Sequence, residues 1–365
     1  MNVAPGSNAI LVLTHFPSPY QVELFDCVAQ SSDLVVAYLH RQDRGRAWKE
    51  ASLQHRALFL EDEDDTKACR DLVHTAPLVV FNYYQDRRAV RLVRLRSATG
   101  KPWVYWGERP GFHQVQLGRF ARRLALQPLH VSRQPIWGIG QWAVDAYENE
   151  FGSDRPYVNL PYFSNLQRYE QPATTHSDSN FVFMYSGSLS RRKGVDLLAE
   201  AFGRLAAEYA HVRLRMIGSG ELASTVTATL APFGDRVEML GFRDWSQAPL
   251  AYAGAHVLCV PSRHDGWGLV VPEGLAAGLP VIATNRTGAA LDLVTPGGNG
   301  WLIPAGNADA LYSSMKGAAT LSGPAWSAMR DRARASIARH CLADGARRFL
   351  DAATAAMHPR PVATR

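Results

Sequence analysis

The stretch Ser262-Arg-His-Asp-Gly-Trp-Gly-Leu-Val-Val-Pro-Glu273-Gly-Leu-Ala-Ala-Gly-Leu-Pro-Val-Ile282 places two carboxylates, Asp265 and Glu273, on either side of a Gly266-Trp267-Gly268 turn. From Leu269 the pattern is helical, ends at Gly278 and Pro280, and runs into an apolar strand. A glycine turn at a helix N-terminus presents several backbone N–H groups, a natural seat for phosphate or sugar hydroxyls. Carboxylates accept hydrogen bonds from vicinal diols, which a phosphate cannot donate. The combination suits a ligand carrying both hydroxyls and phosphates, such as a nucleotide sugar. The plain alternative is a surface loop with two solvated acids, and the order of glycines, acids, helix and strand argues against it.

A second signal lies upstream, in Tyr185-Ser-Gly-Ser-Leu-Ser-Arg-Arg-Lys-Gly-Val-Asp-Leu-Leu198. A strand runs out at Gly187 and Ser188, a short loop carries Arg191, Arg192 and Lys193, and a helix starts near Gly194. Glycine lets the backbone approach a ligand, while Arg and Lys supply charge-assisted bonds to a diphosphate. A basic helix cap on a solvated face is the bland reading. Ile217-Gly218-Ser-Gly220-Glu-Leu222 and Glu238-Met-Leu-Gly-Phe242 add two further strand-end turns; each alone is weak, since such turns are common.

Taken in order, these segments resemble family-4 retaining glycosyltransferases, which have the GT-B fold, over roughly Phe181 to Ala310. The resemblance implies that Asp265 contacts the donor sugar, that Gly266, Trp267, Gly268 and Leu269 support its hydroxyls and phosphate, and that Glu273 binds the ribose. Asp265 stands where Glu is commoner. Lys193 and Gly194 match the family's G-R-L-x-x-x-K-G loop, whose Arg and Lys neutralise the leaving diphosphate. Ser188 holds the family's arginine position, so Arg192 or Arg191 would supply that charge from elsewhere in the loop. The resemblance also puts Gly187, Ser188, Gly218, Gly220 and Phe242 beside the nucleotide, and implies a metal-independent transfer with retention. In the resembled family the last helix crosses back to the first domain.

Composition is that of a globular chain: 365 residues, 47% hydrophobic, 20% charged. The length favours two domains. No apolar run reaches the roughly 18 residues needed to span a bilayer, and the start lacks a signal-peptide pattern. The four cysteines form no CxxC pair and read as reduced thiols, so a cytoplasmic setting is expected. The net charge of +6 is uneven: between Asp86 and Arg133 eleven Lys/Arg face two acids, a local net of +9. An anionic partner near the first half is implied.

Strand-like runs at Ile10–Thr14, Leu34–Leu39, Leu78–Phe81 and Val104–Trp106 alternate with helical spacing at Tyr20–Ala29 and Arg87–Arg96. The rhythm repeats from Phe181–Tyr185 through Val281–Thr284. Such alternation predicts an α/β chain of two Rossmann-like, doubly wound domains facing a central cleft, with ligands at the carboxyl ends of strands. The expected limits are 1–170 for an acceptor domain, 171–180 for a polar linker, 181–330 for the nucleotide-sugar domain, 331–358 for terminal helices broken near Asp344-Gly345, and 359–365 for a disordered tail.

The first half carries fewer signals. His15-Phe-Pro-Ser-Pro-Tyr20 follows the first strand, and two prolines make this loop stiff. Trp103-Val-Tyr-Trp-Gly-Glu-Arg-Pro-Gly-Phe-His113 delivers Glu108 and Arg109 to a strand end. Glu108 there suits orienting an acceptor hydroxyl or assisting its deprotonation; His15, Arg109 and His113 are further acceptor-side candidates, with a structural role the competing reading. Leu117–Ala125 is amphipathic, with Leu117, Phe120, Ala121 and Leu124 on one face and Arg119, Arg122 and Arg123 on the other. Such a helix either packs its apolar face inward or lies peripherally on an anionic membrane, where a lipid-linked glycan acceptor would reside. No aromatic-basic motif for nucleic acid accompanies it. Glu61-Asp-Glu-Asp-Asp65 reads as a solvated acidic loop, and no metal site and no cofactor are expected.

The function expected is transfer of a sugar from a nucleotide diphosphate sugar to an acceptor hydroxyl in polysaccharide or glycoconjugate assembly. The alternatives are a GT-B sugar phosphorylase or nucleotide-sugar epimerase, and, further off, an NAD-dependent oxidoreductase. The last needs G-x-G-x-x-G after a first strand, and His15-Phe-Pro-Ser-Pro follows instead.

Overall fold

The computed structural model describes residues 9–42, 52–111, 116–170 and 180–358. They form two compact units: Met1–Ser164 with Leu342–Arg365, and Asn165–Cys341. The break at 164/165 differs from the expected 170, because Asn165–Tyr169 packs with the second unit, against the helices Ala248–Tyr252 and Val270–Ala276. Most of the expected linker, residues 171–179, lies outside the described residues, as do His113 and the tail from 359.

The first unit is built on one parallel sheet of seven strands: β1 Ile10–Thr14, β2 Leu34–Tyr38, β3 Arg56–Phe59, β4 Val79–Phe81, β5 Trp103–Gly107, β6 Ile136–Gly138 and β7 Tyr157–Asn159. Their order is β3-β2-β1-β4-β5-β6-β7. β1, β2, β4 and β5 are buried along their whole length, as strands with both faces covered must be. That is why they read as unbroken apolar runs. β3 and β7, at the edges, are only partly buried, and β6 spans three residues; all three went unread in the sequence.

The acidic run Glu61–Asp65 is a helix start rather than a loop. Asp62 is the N-cap of the helix Glu63–Thr75, whose first turn holds Glu63, Asp64 and Asp65, where carboxylates oppose the helix dipole. Arg96, counted in the basic patch, is buried and donates to the carbonyls of Val73, Ala76, Pro77 and Pro102. It closes loop ends and is unavailable to a partner.

The last helix, Leu342–Met357, packs on the first unit's helix Pro19–Ala29. Phe349 meets Trp137 and Trp106 at ring separations of 5.4 and 6.0 Å. The break between terminal helices falls after Ile337, not at Asp344-Gly345; Gly345 sits inside the helix because any Cβ there would lie 2.5 Å from the Phe163 ring.

The second unit repeats the plan with six parallel strands: β8 Phe181–Ser186, β9 Val212–Ile217, β10 Val237–Met239, β11 Val257–Val260, β12 Val281–Thr284 and β13 Gly300–Ile303. The order is β10-β9-β8-β11-β12-β13. In each sheet the winding reverses once, between β1 and β4 in the first and between β8 and β11 in the second. The crevice outside the carboxyl ends of such a pair is where doubly wound sheets hold ligands.

Candidate functional site

The two segments singled out in the sequence are the loops at the β8/β11 reversal. The loop after β8 carries Arg191, Arg192 and Lys193 into Gly194, which begins the helix Val195–Glu208. Gly194 has φ +72°, and a Cβ there would sit 2.0 Å from the carbonyl oxygen of Pro261 in the loop after β11. Only glycine allows the loops to close to this distance. Arg263 locks them further: its guanidinium grips both oxygens of Asp196 at 2.6 and 2.7 Å, and its amide donates to the Arg192 carbonyl at 2.9 Å.

This closure brings Lys193 onto Asp265, with Nζ 2.5 Å from Oδ2. Arg192 reaches the same carboxylate, Nη1 lying 3.8 Å from Oδ1, and donates to the His264 carbonyl at 3.0 Å. Of the two arginines left open by the sequence, Arg192 is the one directed at Asp265. The Arg191 backbone instead receives Arg263 and donates to Glu221.

The backbone of Asp265 is fixed by the β12 loop, donating to Arg286 and accepting from Gly288 at 2.8 and 3.2 Å. The turn then runs Gly266 to Leu269 into the helix Val270–Ala276. Among the described residues, the N–H groups of Gly266, Trp267, Gly268 and Leu269 donate to no acceptor. Lys193, Arg192 and this row of amides belong to one locus. The Trp267 side chain is buried and stacks near His340 at 6.1 Å, so this residue offers the locus its backbone only.

Glu273 stands in the first turn of that helix. Tyr252 donates to its Oε2 at 3.0 Å, and Arg168 and Tyr169 lie on the same side. Burial pushes the carboxyl up to about 7, against the opposing pull of the two tyrosine hydroxyls and of Arg168 and Lys193. The sequence reading missed Arg168, Tyr169 and Tyr252. They come from segments far apart in the chain and carry no local motif.

Gly187, Gly218 and Gly220 have a packing role that the sequence did not show. Gly218 has φ +139°, and its Cβ would fall 1.8 Å from the Gly187 carbonyl; that of Gly220 would fall 2.6 Å from Leu189. These glycines pack the β9 loop onto the β8 loop and so hold the Lys193 loop from behind. Ser188 is exposed and pairs with Ser190. Phe242 follows Gly241, which accepts from Gly218, and leaves its ring 42% exposed.

In the first unit, Glu108 leaves the end of β5 exposed to solvent, its carboxylate beside the Tyr162 hydroxyl. The Arg109 guanidinium lies 4.0 Å over the Trp142 ring. His15 stacks flat on Tyr83 at 4.3 Å. On the helix Gln116–Ala125, Phe120 and Leu124 are 66% and 54% exposed. Arg122 turns to Glu150 at 2.9 Å, Arg123 is exposed, and the Arg119 side chain lies outside what is described. No helix among the described residues is long and apolar enough to cross a membrane.

Two parallel α/β units with a cationic, amide-lined crevice at the second switch point define a protein of the GT-B class. The fold is shared with the structure of Anabaena HepE in complex with UDP, at TM-score 0.77 and 16% identity over 95% of this chain and 100% of that one. It is shared also with sucrose-phosphate synthase from Thermosynechococcus elongatus, at TM-score 0.73 and 18% identity over 94% and 98% of the two chains. The family model Glycosyl transferases group 1 matches residues 167–334, nearly the whole second unit. A relative from Corynebacterium glutamicum, a GDP-mannose-dependent monoacylated alpha-(1-6)-phosphatidylinositol monomannoside mannosyltransferase, is 27% identical over 211 residues, 53% of this chain and 52% of that protein. The chain thus spans about half the length of that relative.

Proposed function

We propose that this protein transfers a sugar, with retention of anomeric configuration, from a nucleotide diphosphate sugar to an acceptor hydroxyl in polysaccharide or glycoconjugate assembly. The observation that carries the proposal is the convergence of Lys193, Arg192 and the amides of Gly266–Leu269 on one crevice, with Asp265 and Glu273 at its two ends. The cations and amides suit a diphosphate, and the carboxylates suit the hydroxyls of the sugar and the ribose. Phe242, with its ring partly exposed, is the aromatic offered to the base.

The bond from C1 of the sugar to the diphosphate breaks with its electron pair going to the phosphate oxygen. Lys193, Arg192 and the backbone amides stabilise that charge, so no metal is needed in this scheme. The acceptor oxygen attacks C1 from the face the phosphate leaves, and its proton passes to the departing phosphate. Asp265 and Glu273 are donor-binding groups in this scheme. In this scheme Glu108, His15 and Arg109 of the first unit are the candidates for holding the acceptor, Glu108 as the group that would orient the attacking hydroxyl. The exposed Phe120, Leu124 and Arg123 rest the protein peripherally on an anionic bilayer carrying a lipid-linked acceptor.

HepE was solved with UDP, and the mannosyltransferase relative is named for GDP-mannose; UDP, GDP, ADP and dTDP sugars form the panel to test. Thermal shift should single out one nucleotide, since a ligand at 100 times its dissociation constant stabilises a fold by about 2.7 kcal/mol. NMR of the product should then show the donor's anomeric configuration retained. An inverted product would overturn retention; stabilisation by free sugar phosphate alone would favour a phosphorylase.

A further inference from the structure

We infer that Arg263 and Asp196 are a positioning pair: their two-pronged ion pair sets the register between the loops after β8 and β11, and with it the place of Lys193 against Asp265. The inference deepens the glycosyl-transfer reading and rests on it for the consequence in turnover.

The loop after β11 is tied to β12 and its following turn at two points. Thr284 donates to the Ser262 carbonyl at 2.6 Å, and the Asp265 amide donates to the Arg286 carbonyl at 2.8 Å. Arg263 stands between these ties and reaches across to the basic turn. Its guanidinium donates to the two oxygens of Asp196 at 2.6 and 2.7 Å and to the Arg191 carbonyl at 2.7 Å. Its amide donates to the Arg192 carbonyl at 2.9 Å. One residue thus holds two consecutive carbonyls of the turn and the first turn of the helix Val195–Glu208. Lys193 lies between those points, and its Nζ meets Asp265 at 2.5 Å.

The two ion pairs make a ladder with alternating signs. The β8 loop contributes Lys193 and Asp196, and the β11 loop answers with Asp265 and Arg263. Sliding one loop along the other would bring Lys193 to Arg263 in one direction and Asp196 to Asp265 in the other. Both pairings are repulsive, and partial burial sharpens the penalty. The order of charges therefore codes a single register.

The same bonds exclude Arg263 from the diphosphate. Its two terminal nitrogens are engaged within the brace, and Asp196 balances its charge. Partial burial pushes the Asp196 carboxyl up, but bonds from Arg263 and from the amides of Asp196 and Leu197 outweigh it and hold the group below its ordinary value. Lys193 and Arg192 remain as the cations beside Asp265. Without Asp196, Arg263 would be released two residues from Asp265, as a competitor to Lys193.

The test reads Lys193 directly, by labelling the full chain with trinitrobenzenesulfonate and following the modified peptide by mass spectrometry. Donor turnover is followed in parallel with UDP-glucose and GDP-mannose. Arg263→Ala and Asp196→Asn should each label Lys193 about tenfold faster. Each should also lower kcat about tenfold with KM shifting less than about threefold, since a misplaced group costs rate more than binding. The double variant should be no worse than the worse single one, because the partners act as one brace. Arg263→Lys keeps the cation but loses the two-oxygen grip, and should fall in between. Millimolar ethylguanidinium should restore part of the Arg263→Ala turnover and none of that of Asp196→Asn, which a general loss of folding would not do. The inference is overturned if Lys193 labels equally in all variants, if the two losses add in the double variant, or if KM rises tenfold at constant kcat, which would make Arg263 a donor contact. Faster labelling in a chain that turns over neither donor would leave the brace standing and count against the transfer reading alone.

Discussion

The two sheets reverse in the same way, yet the chain furnishes the two reversals with opposite chemistry. At β8/β11 it places a lysine, an arginine, a glycine-rich turn and unengaged amides, with Lys193 held 2.5 Å from Asp265. At β1/β4 it places prolines, stacked rings and ion pairs that are already matched. A parallel sheet supplies the reversal in both cases; loop composition sets the chemistry each one offers. The contrast also explains where the family match falls. Residues 167–334, which carry the loops of the β8/β11 reversal, are the part the family model matches.

Breaking the cationic side should have the largest effect. Lys193→Ala removes the nearer of the two cations on Asp265 and, on the proposed reading, the main charge facing the leaving phosphate. Turnover should fall by about 10²- to 10³-fold, with donor affinity changing less, as measured by initial rates of nucleoside diphosphate release. Equal rates in the variant would remove Lys193 from the chemistry.

Gly194→Ala attacks the closure of the two loops. Its Cβ would lie 2.0 Å from the Pro261 oxygen, at a φ of +72° that alone costs an L-residue about 1–2 kcal/mol. The midpoint of thermal unfolding should drop by several degrees and nucleotide binding should weaken with it. An unchanged melting curve would show that the loops close without this glycine.

Glu273 links the donor crevice to pH. Its carboxyl is raised from 4.5 to about 7, chiefly by burial, and on the proposed reading the ionised form is the one that would accept from ribose. Donor affinity should therefore weaken about tenfold between pH 8 and pH 6, and Glu273→Gln should lose that slope. The sign for stability is the reverse. An acid whose pKa is higher in the folded than in the unfolded state destabilises the fold as pH climbs from about 4.5 to 7. Without ligand, Glu273→Gln should melt above the unaltered protein at pH 8, the gap closing by pH 4.

The smallest effect belongs to the exposed face of the helix Gln116–Ala125. Phe120→Ser with Leu124→Ser, and Arg123→Ser alone, should each reduce partitioning onto phosphatidylglycerol vesicles about fivefold, the scale of about 1 kcal/mol. Unchanged sedimentation would leave the helix a solvent-exposed element.

The central strands and the two loops at the β8/β11 reversal were legible because each is encoded locally. β11 and β12 match their apolar runs residue for residue, and Lys193, Asp265 and Glu273 sit in short stretches of recognisable order. Edge strands such as β3 and β7 were missed because half-exposed residues break the apolar run. The acidic helix start at Glu63 was hidden because carboxylates favour both loops and helix N-termini. Trp267 looked like a ligand contact from its place in the turn, and only packing shows its ring buried. The Arg263 and Asp196 pair was invisible for a topological reason, since two separate strand ends bring it together. Glu108 was placed correctly at a strand end, but its neighbour Tyr162 had no signal in sequence.

The measurement that bears most directly on the account is calorimetric titration of UDP and GDP into the unaltered protein and into Glu273→Ala. The account predicts that one of the two nucleotides binds the unaltered chain. Loss of the ribose acceptor should then weaken that binding by about a hundredfold, the scale of two hydrogen bonds to a charged group. Failure of both nucleotides to bind, or equal binding to the two proteins, would contradict the assignment of the β8/β11 crevice to a nucleotide sugar.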